Sequence, residues 1–419
     1  MKLVKTSLLN AIAVFVKMVV LFGINKALAI FVGPSGYALL GQFQNIVQIV
    51  ATFSSGAINT GVTKYTAEYA DDPDKQKRLW STAGTISVIG AFFSMLIIIF
   101  FKKELAVWLL HDENLDTVFI FFAIGLVFFV LNTLLLAILN GKAEIRLYVM
   151  ANLLGSLISF LITVALTASQ GLWGALVALS IFQSGAFFST VYLCRKAAWF
   201  RVSYLFGRLD TEITKNLFKY TMMASTSALC FPVSNILVRD HLIDIFGNVS
   251  AGYWEAMTRL SGASMLLFSS VLSVYYLPKY SALKGGATIK KEVFHGYKII
   301  LPAVMFCCIA IYLLRDFIIM LLFSSEFLPM RDLFFWYQVG DFLKMGSWIL
   351  AFIMIGKAMV KIFIVSELVF TATYVGLTFI FTEHYGLIGS AMSYALNYLL
   401  YWIVLYFVIR KNVFKSGVY

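Results

Sequence analysis

Twelve runs of predominantly apolar residues, separated by short charged or glycine-bearing turns, fill the chain from residue 7 to residue 409. Every run exceeds twenty residues, the length an α-helix needs to cross a hydrocarbon core about 30 Å thick at about 1.5 Å per residue. Repeated apolar runs of this length point to a polytopic membrane protein. The expected fold class is an all-α polytopic membrane protein with twelve transmembrane helices.

Composition agrees and closes off alternatives. Of 419 residues, 61% are hydrophobic and 13% charged, against about 25% charged in a soluble domain. Little chain is left for an extramembrane domain. A net charge of +12 could mean nucleic acid, but its distribution argues otherwise. Of the 33 Lys and Arg, 24 fall in the segments on the side of the N-terminus. Five lie on the other side (Lys102, Lys103, Arg239, Arg315, Arg331) and four within spans (Lys17, Lys26, Arg259, Lys344). Positive residues stay on the cytoplasmic side, so this bias puts both termini in the cytoplasm and predicts no nucleic-acid partner. The four cysteines (Cys194, Cys230, Cys307, Cys308) sit in apolar runs without ligand spacing, and are expected to pack as small apolar residues.

The chain repeats itself at half its length. "GKAEIR" (141–146) recurs as "GKAMVK" (356–361), "GLWG" (171–174) as "GLIG" (386–389), and "TKYT" (63–66) as "PKYS" (278–281), all at an offset of 215. "GPSGY" (33–37) faces "NVSAGY" (248–253). Each half then has six spans, an even number, so both enter the membrane in the same sense as parallel repeats. The expected organisation is an N-terminal six-helix lobe (1–196), a cytoplasmic or interfacial linker (197–215) and a C-terminal six-helix lobe (216–419), with a central cavity between them. The basic linker reads either as an interfacial helix or as a solvated loop.

Catalytic signatures are missing: there is no G-x-x-x-x-G-K-[ST], no H-E-x-x-H and no serine elbow, and the four His are scattered. No metal or cofactor is expected, and no enzyme. The informative residues are polar ones inside spans. Asn45, Gln48, Thr52, Ser55, Gly56 and Asn59 share one face of the second helix, and Glu255, Arg259, Gly262, Ser269 and Ser273 one face of the eighth. Packing through small and amide residues explains such stripes as well as a cavity does. Charges at mid-membrane are costly and usually functional. That singles out Lys17, Glu255, Arg259, Asp341 and Lys344 as cavity candidates. Asp341 and Lys344, spaced i, i+3 in "FWYQVGDFLKMGSW", can be a self-neutralising pair or can face a wet cavity. Arg315-Asp316 and Arg331-Asp332 can cross-pair as an outer gate or form a plain rim. Lys64 and Lys279, matched by the repeat, read as inner-rim contacts or anchors. Cationic, amide and hydroxyl groups together suit an anionic, hydroxyl-rich substrate.

"LLRDF" (313–317), "MRDLFFWYQVGDFLK" (330–344), "GVTKY" (61–65) and "GPSG" (33–36) resemble the Wzx-type oligosaccharide-lipid flippases, in particular the O-antigen and lipid III flippase branch of the multidrug/oligosaccharidyl-lipid/polysaccharide exporter superfamily. The resemblance covers the whole chain and is most specific over 330–344. It implies twelve helices in two lobes. The implied activity is alternating-access transfer of undecaprenyl-pyrophosphate-linked oligosaccharide from the inner to the outer leaflet of the bacterial inner membrane. It implies H+ or Na+ as coupling ion, and glycan polymerase and chain-length machinery as partners; a monomer is the simplest expectation. Arg315, Arg331, Asp332, Asp341 and Lys344 fall in matching segments, whereas Glu255 and Arg259 match no family motif. Two alternatives stay open: a multidrug or cation antiporter of the same superfamily, and a membrane-embedded glycan polymerase or ligase.

Overall fold

The computed structural model describes the backbone of residues 2–414 apart from Ala198, and most of their side chains. Side chains ahead of Val16 and that of Lys17 are outside the described set. Among the described residues there is no strand. In chain order the helices are α1 (Lys2–Ser54), α2 (Asn59–Glu68), α3 (Pro73–Phe100), α4 (Lys102–Leu110), α5 (Asp116–Gly141), α6 (Ile145–Cys194), α7 (Thr211–Val271), α8 (Leu277–Ala282), α9 (Gly286–Leu313), α10 (Arg315–Leu322), α11 (Phe334–Gly356), α12 (Val360–Tyr385) and α13 (Ile388–Ile409).

Among the described residues nine helices are long, and three of these are too long for one crossing. Each of the three breaks at a glycine with positive φ: Gly33 (69°) in α1, Gly171 (57°) in α6 and Gly247 (77°) in α7. That backbone region is costly for residues with a Cβ and not for glycine. The breaks turn nine long helices into twelve rods, the expected number, and the chain is a multi-pass membrane protein.

The repeat is written in the backbone. Gly171 corresponds to Gly386 (φ 62°) and Ala143 (φ 56°) to Ala358 (φ 51°), pairs that are all 215 residues apart. The matched motifs also pack alike. A methyl group on Gly174 would sit 2.0 Å from the Leu166 carbonyl oxygen, and one on Gly389 2.2 Å from that of Phe381. Gly141 lies against Thr63 and Thr66, and Gly356 against Tyr280 and Ser281, so the "GKA" and "KY" motifs are contact partners in both halves. α5, in contact with α2, α3 and α6, holds the place that α11 holds among α8, α9, α12 and α13.

The chain forms two compact units. One contains residues up to Gly33 and Leu39–Pro232; the other contains Pro34–Ala38 and the residues from Val233 onward. α7 starts in the first unit: Leu217 Cδ2 would be 2.9 Å from a methyl on Gly61, and the Thr221 hydroxyl donates to the Gly56 carbonyl at 3.1 Å. The 216 start expected for the second lobe thus falls inside a helix held by first-unit contacts.

Three other expectations change. The linker 197–215 is not an interfacial helix. Up to Asp210 it is a strap with a single 3₁₀ turn, Val202–Leu205, and α7 begins at Thr211. It is tied down along α3: Gly84 leaves room for the Leu205 carbonyl, the Thr85 hydroxyl donates to the Gly207 carbonyl at 2.9 Å, and the Asp210 N–H donates to Thr82. The helix of the second span, expected over 38–62, stops at Ser54, where Gly56 and Ala57 (φ 62° and 51°) interrupt it before α2. The ninth helix runs Gly286–Leu313 rather than 299–321, because the charged stretch 290–298 is itself helical and the chain breaks at Leu314.

Candidate functional site

The second unit buries charge in two connected places. The first is built on α7. Glu255 and Arg259, four residues apart on its second limb, share a face, and the Arg259 Nε–H donates to Glu255 Oε1 at 2.7 Å. The other Glu255 oxygen accepts from Arg239 Nη2 on the first limb. Arg239 is wholly buried, Glu255 is nearly so, and the Arg259 side chain keeps 15% exposure. The segment after Gly33 completes the group. Gly252 lets the Pro34 carbonyl approach α7, and Tyr37 lies with its ring centre 4.9 Å from the Arg259 guanidinium. One carboxylate between two guanidiniums leaves a local charge of +1, and the partly open edge belongs to Arg259. On the sequence alone Arg239 falls outside the membrane. The first limb of α7 continues past it to the break at Gly247, and Arg239 belongs to the core of this unit.

The second place is the "FWYQVGDFLKMGSW" stretch on α11. Asp341 is fully buried and Lys344 is 8% exposed, so a hydrated cavity is not what holds them. No direct ion pair joins them among the described residues. The Tyr394 hydroxyl on α13 stands between, donating to Asp341 Oδ1 at 2.9 Å and accepting from Lys344 Nζ at 3.2 Å. Ser261, one turn beyond Thr258 on α7, donates to the same Asp341 oxygen at 2.6 Å. The Lys344 ammonium lies 5.0–5.4 Å from the ring centres of Trp348, Tyr398 and Tyr394, a cation–π cage. Asp341 Oδ2 has no hydrogen-bond partner among the described residues. Thr258, bonded to the Tyr337 hydroxyl at 2.9 Å, and the Tyr337–Tyr394 stack at 4.9 Å link this network to the face that carries Glu255. The protein thus supplies its own solvation for the two charges, through hydroxyls and ring faces.

In the first unit the amide stripe lines a cavity of about 290 Å3. Gln48, Thr52, Ser55 and Asn59 are on its wall, with Thr133, Phe129 and Phe182 from α5 and α6. Asn45 is not: it is buried, and its amide nitrogen has no partner. Asn59 lines the cavity although α1 ends before it and the break at Gly56-Ala57 intervenes. The Lys17 side chain, a candidate from the sequence, lies outside the described residues.

The rim candidates hold local partners. Lys64 faces Glu68 at 3.7 Å, and its repeat equivalent Lys279 donates to Glu292 at 2.6 Å and to the Tyr275 hydroxyl at 2.7 Å. These bonds, with Glu292 first, raise the Lys279 pKa. Arg315 donates to the Tyr312 carbonyl and Arg331 lies 3.9 Å from its neighbour Asp332. Cross-pairing of the two Arg-Asp steps is absent among the described residues. Sequence reasoning passed over Glu367, a partly buried carboxyl inside α12 that neighbours Tyr398 and Tyr401. Glu367 thus joins Glu255 and Asp341 as a carboxyl packed among the helices of the second unit, alongside Arg239, Arg259 and Lys344. An excess of basic charge does not by itself define the substrate.

Comparison with known proteins points one way. Residues 3–284 match the polysaccharide biosynthesis protein family. Over 402 residues the chain is 29% identical to the lipid III flippase of Escherichia coli (strain K12), covering 96% of each chain, and equally to that of Shigella flexneri. Among solved structures, an inward-facing multidrug resistance MATE family transporter of the MOP superfamily superposes with a TM-score of 0.77 at 16% identity, over 95% of this chain and 94% of that one. A MOP superfamily transporter from Pyrococcus furiosus, described as having a binding pocket of reverse polarity, gives 0.68 at 16% identity, over 98% and 95%. The structural matches speak to the fold.

Proposed function

This chain belongs to the polysaccharide biosynthesis protein family, and from that membership we propose that it is a flippase that carries a lipid-linked oligosaccharide across the membrane it spans. The observation that carries this reading is the 29% identity, over 96% of both chains, to proteins named lipid III flippase. The chain is a transporter and not an enzyme.

The finer reading is that the cargo is an undecaprenyl-pyrophosphate-linked repeat unit of O-antigen or a related surface glycan, moved from the inner to the outer leaflet of the bacterial inner membrane by alternating access. Both termini are cytoplasmic in this reading, and the working unit is a monomer. Arg259 supports an anionic cargo: it is the one member of the triad with an open edge, on a group of net charge +1. Asp341 supports a coupling cation, H+ or Na+, since Oδ2 has no partner and Lys344 reaches the carboxylate only through Tyr394. The caged Lys344 then sets the charge of that site instead of touching phosphate.

The test is made in cells whose only translocator of the lipid-linked glycan is this chain. Wild type is expected to expose the glycan to lectin on intact spheroplasts. Arg259→Ala, inserted and abundant, is expected to leave the glycan inside, with Arg259→Lys partly active. Normal exposure in cells lacking the chain altogether would remove the flippase reading.

A further inference from the structure

We propose that the first-unit cavity is a sugar subsite that takes one uncharged ring bearing hydroxyl and amide groups. The inference rests on the flippase reading and assigns part of the cargo to named side chains.

Volume sets the scale. At about 290 Å3 the cavity lies at the bottom of the range of small-molecule pockets, about 300–1,000 Å3. It suits one sugar ring, and not the whole glycan with its lipid.

The hydrogen bonds of the wall set the chemistry. Thr52 donates to the Gln48 carbonyl at 2.8 Å, Ser55 to the Thr52 carbonyl at 3.0 Å, and Thr133 to the Val130 carbonyl at 2.8 Å. Each of these hydroxyl protons is committed to the helix backbone, which leaves the oxygens as acceptors. Asn59 Oδ1 is a further acceptor, buried and without a partner among the described residues. A buried acceptor left unpaired is costly, and a ligand that donates to it recovers that cost. The hydroxyl oxygens and Asn59 Oδ1 therefore ask for donors, which sugar hydroxyls and an acetamido N–H supply, while the amide N–H groups of Gln48 and Asn59 can donate to sugar oxygens. Phe129 and Phe182 add apolar surface for the C–H face of a pyranose.

The described wall carries no charge. Among the described residues that line the cavity none is ionisable. A uronate, a phosphate or an ammonium would be desolvated there without a counter-charge. An apolar drug would leave Asn59 Oδ1 unmet, and sites built to hydrogen-bond a hydroxyl discriminate strongly against ligands lacking it. The charged parts of the cargo belong elsewhere.

The full-length protein in lipid nanodiscs provides the test, with two probes: polyprenyl pyrophosphate bearing a neutral di-N-acetylhexosamine, and polyprenyl pyrophosphate without sugar. Wild type is expected to bind the sugar-bearing probe at least tenfold more tightly. Asn59→Leu removes an unmet acceptor, so the variant is expected to fold with wild-type thermal stability, lose that tenfold preference and bind the bare lipid as before. Gln48→Leu, at the opposite end of the stripe, is expected to do the same and serves if Asn59→Leu does not fold. Equal binding of the two probes by wild type, or an undiminished preference in the folded leucine variants, overturns the subsite. Intact preference without delivery of either probe across a bilayer upholds the subsite and overturns the transport reading.

Discussion

Glu255→Leu is the substitution whose consequence the structure sets most sharply. Glu255 accepts from Arg239 with one oxygen and from Arg259 with the other, at 2.7 Å for the latter. Leucine is close to glutamate in volume, so the packing loss is small and the electrostatic loss dominates. Arg259, with 15% of its side chain exposed, can swing its head toward water. Arg239, fully buried, cannot. Removing one partner of a buried pair costs about 3–5 kcal/mol, most of it the charge left behind. For a folding unit of this size about 1 kcal/mol moves the midpoint by roughly 2–4 °C, so a fall of about 6–20 °C is expected. The double variant Arg239→Met/Glu255→Leu removes the charge that cannot escape, and apolar replacement of a buried pair is often neutral or stabilising. It is expected within about 1 kcal/mol of wild type. Thermal unfolding of detergent-solubilised protein, followed by the loss of monodisperse material, reads both. A Glu255→Leu midpoint within about 2 °C of wild type, less than 1 kcal/mol would produce, or a double variant as unstable as the single, would refute the account of a triad held by one carboxylate.

Other outcomes follow from the same coordinates. Tyr394→Phe removes the hydroxyl that joins Asp341 to Lys344 and is expected to cost about 1–3 kcal/mol, read by the same melt. Gly174→Ala and Gly389→Ala place a methyl 2.0 and 2.2 Å from a carbonyl oxygen, and each is expected to cost at least about 1–3 kcal/mol. Gly376→Ala, which meets nothing within 4 Å inside α12, should be neutral or stabilising; a matching loss at Gly376 would show that the helix, and not the close approach, is what glycine serves.

The architecture was legible because its determinants are local. Apolar run length set the number of rods, and the recurrence of "GKA", "GLxG" and "KY" at a fixed offset marked positions where the backbone takes positive φ or approaches another segment closely. Such positions tolerate few residues, so they repeat visibly while apolar faces drift. The site was only half legible. Asp341, Lys344, Glu255 and Arg259 stood out as charges in apolar runs. Their partners did not, because Tyr394 and Ser261 are ordinary residues for a membrane helix and lie 53 and 80 positions from Asp341. Arg239 was misplaced because hydropathy falls before the helix ends. Glu367 was passed over as one carboxyl among apolar neighbours. Asn59 was assigned to the right wall by a helical projection, although the helix is interrupted at Gly56 before that position.

This chain alone is expected to move lipid-linked oligosaccharide between leaflets. Purified protein should be reconstituted into liposomes that carry a polyprenyl-pyrophosphate glycan and an imposed ion gradient. The fraction of glycan open to an added glycosidase is then followed with time. Time-dependent conversion of the protected pool, absent from empty liposomes and from those carrying Arg259→Ala, is the predicted result. Protection that stays the same with and without the wild-type protein would contradict the account.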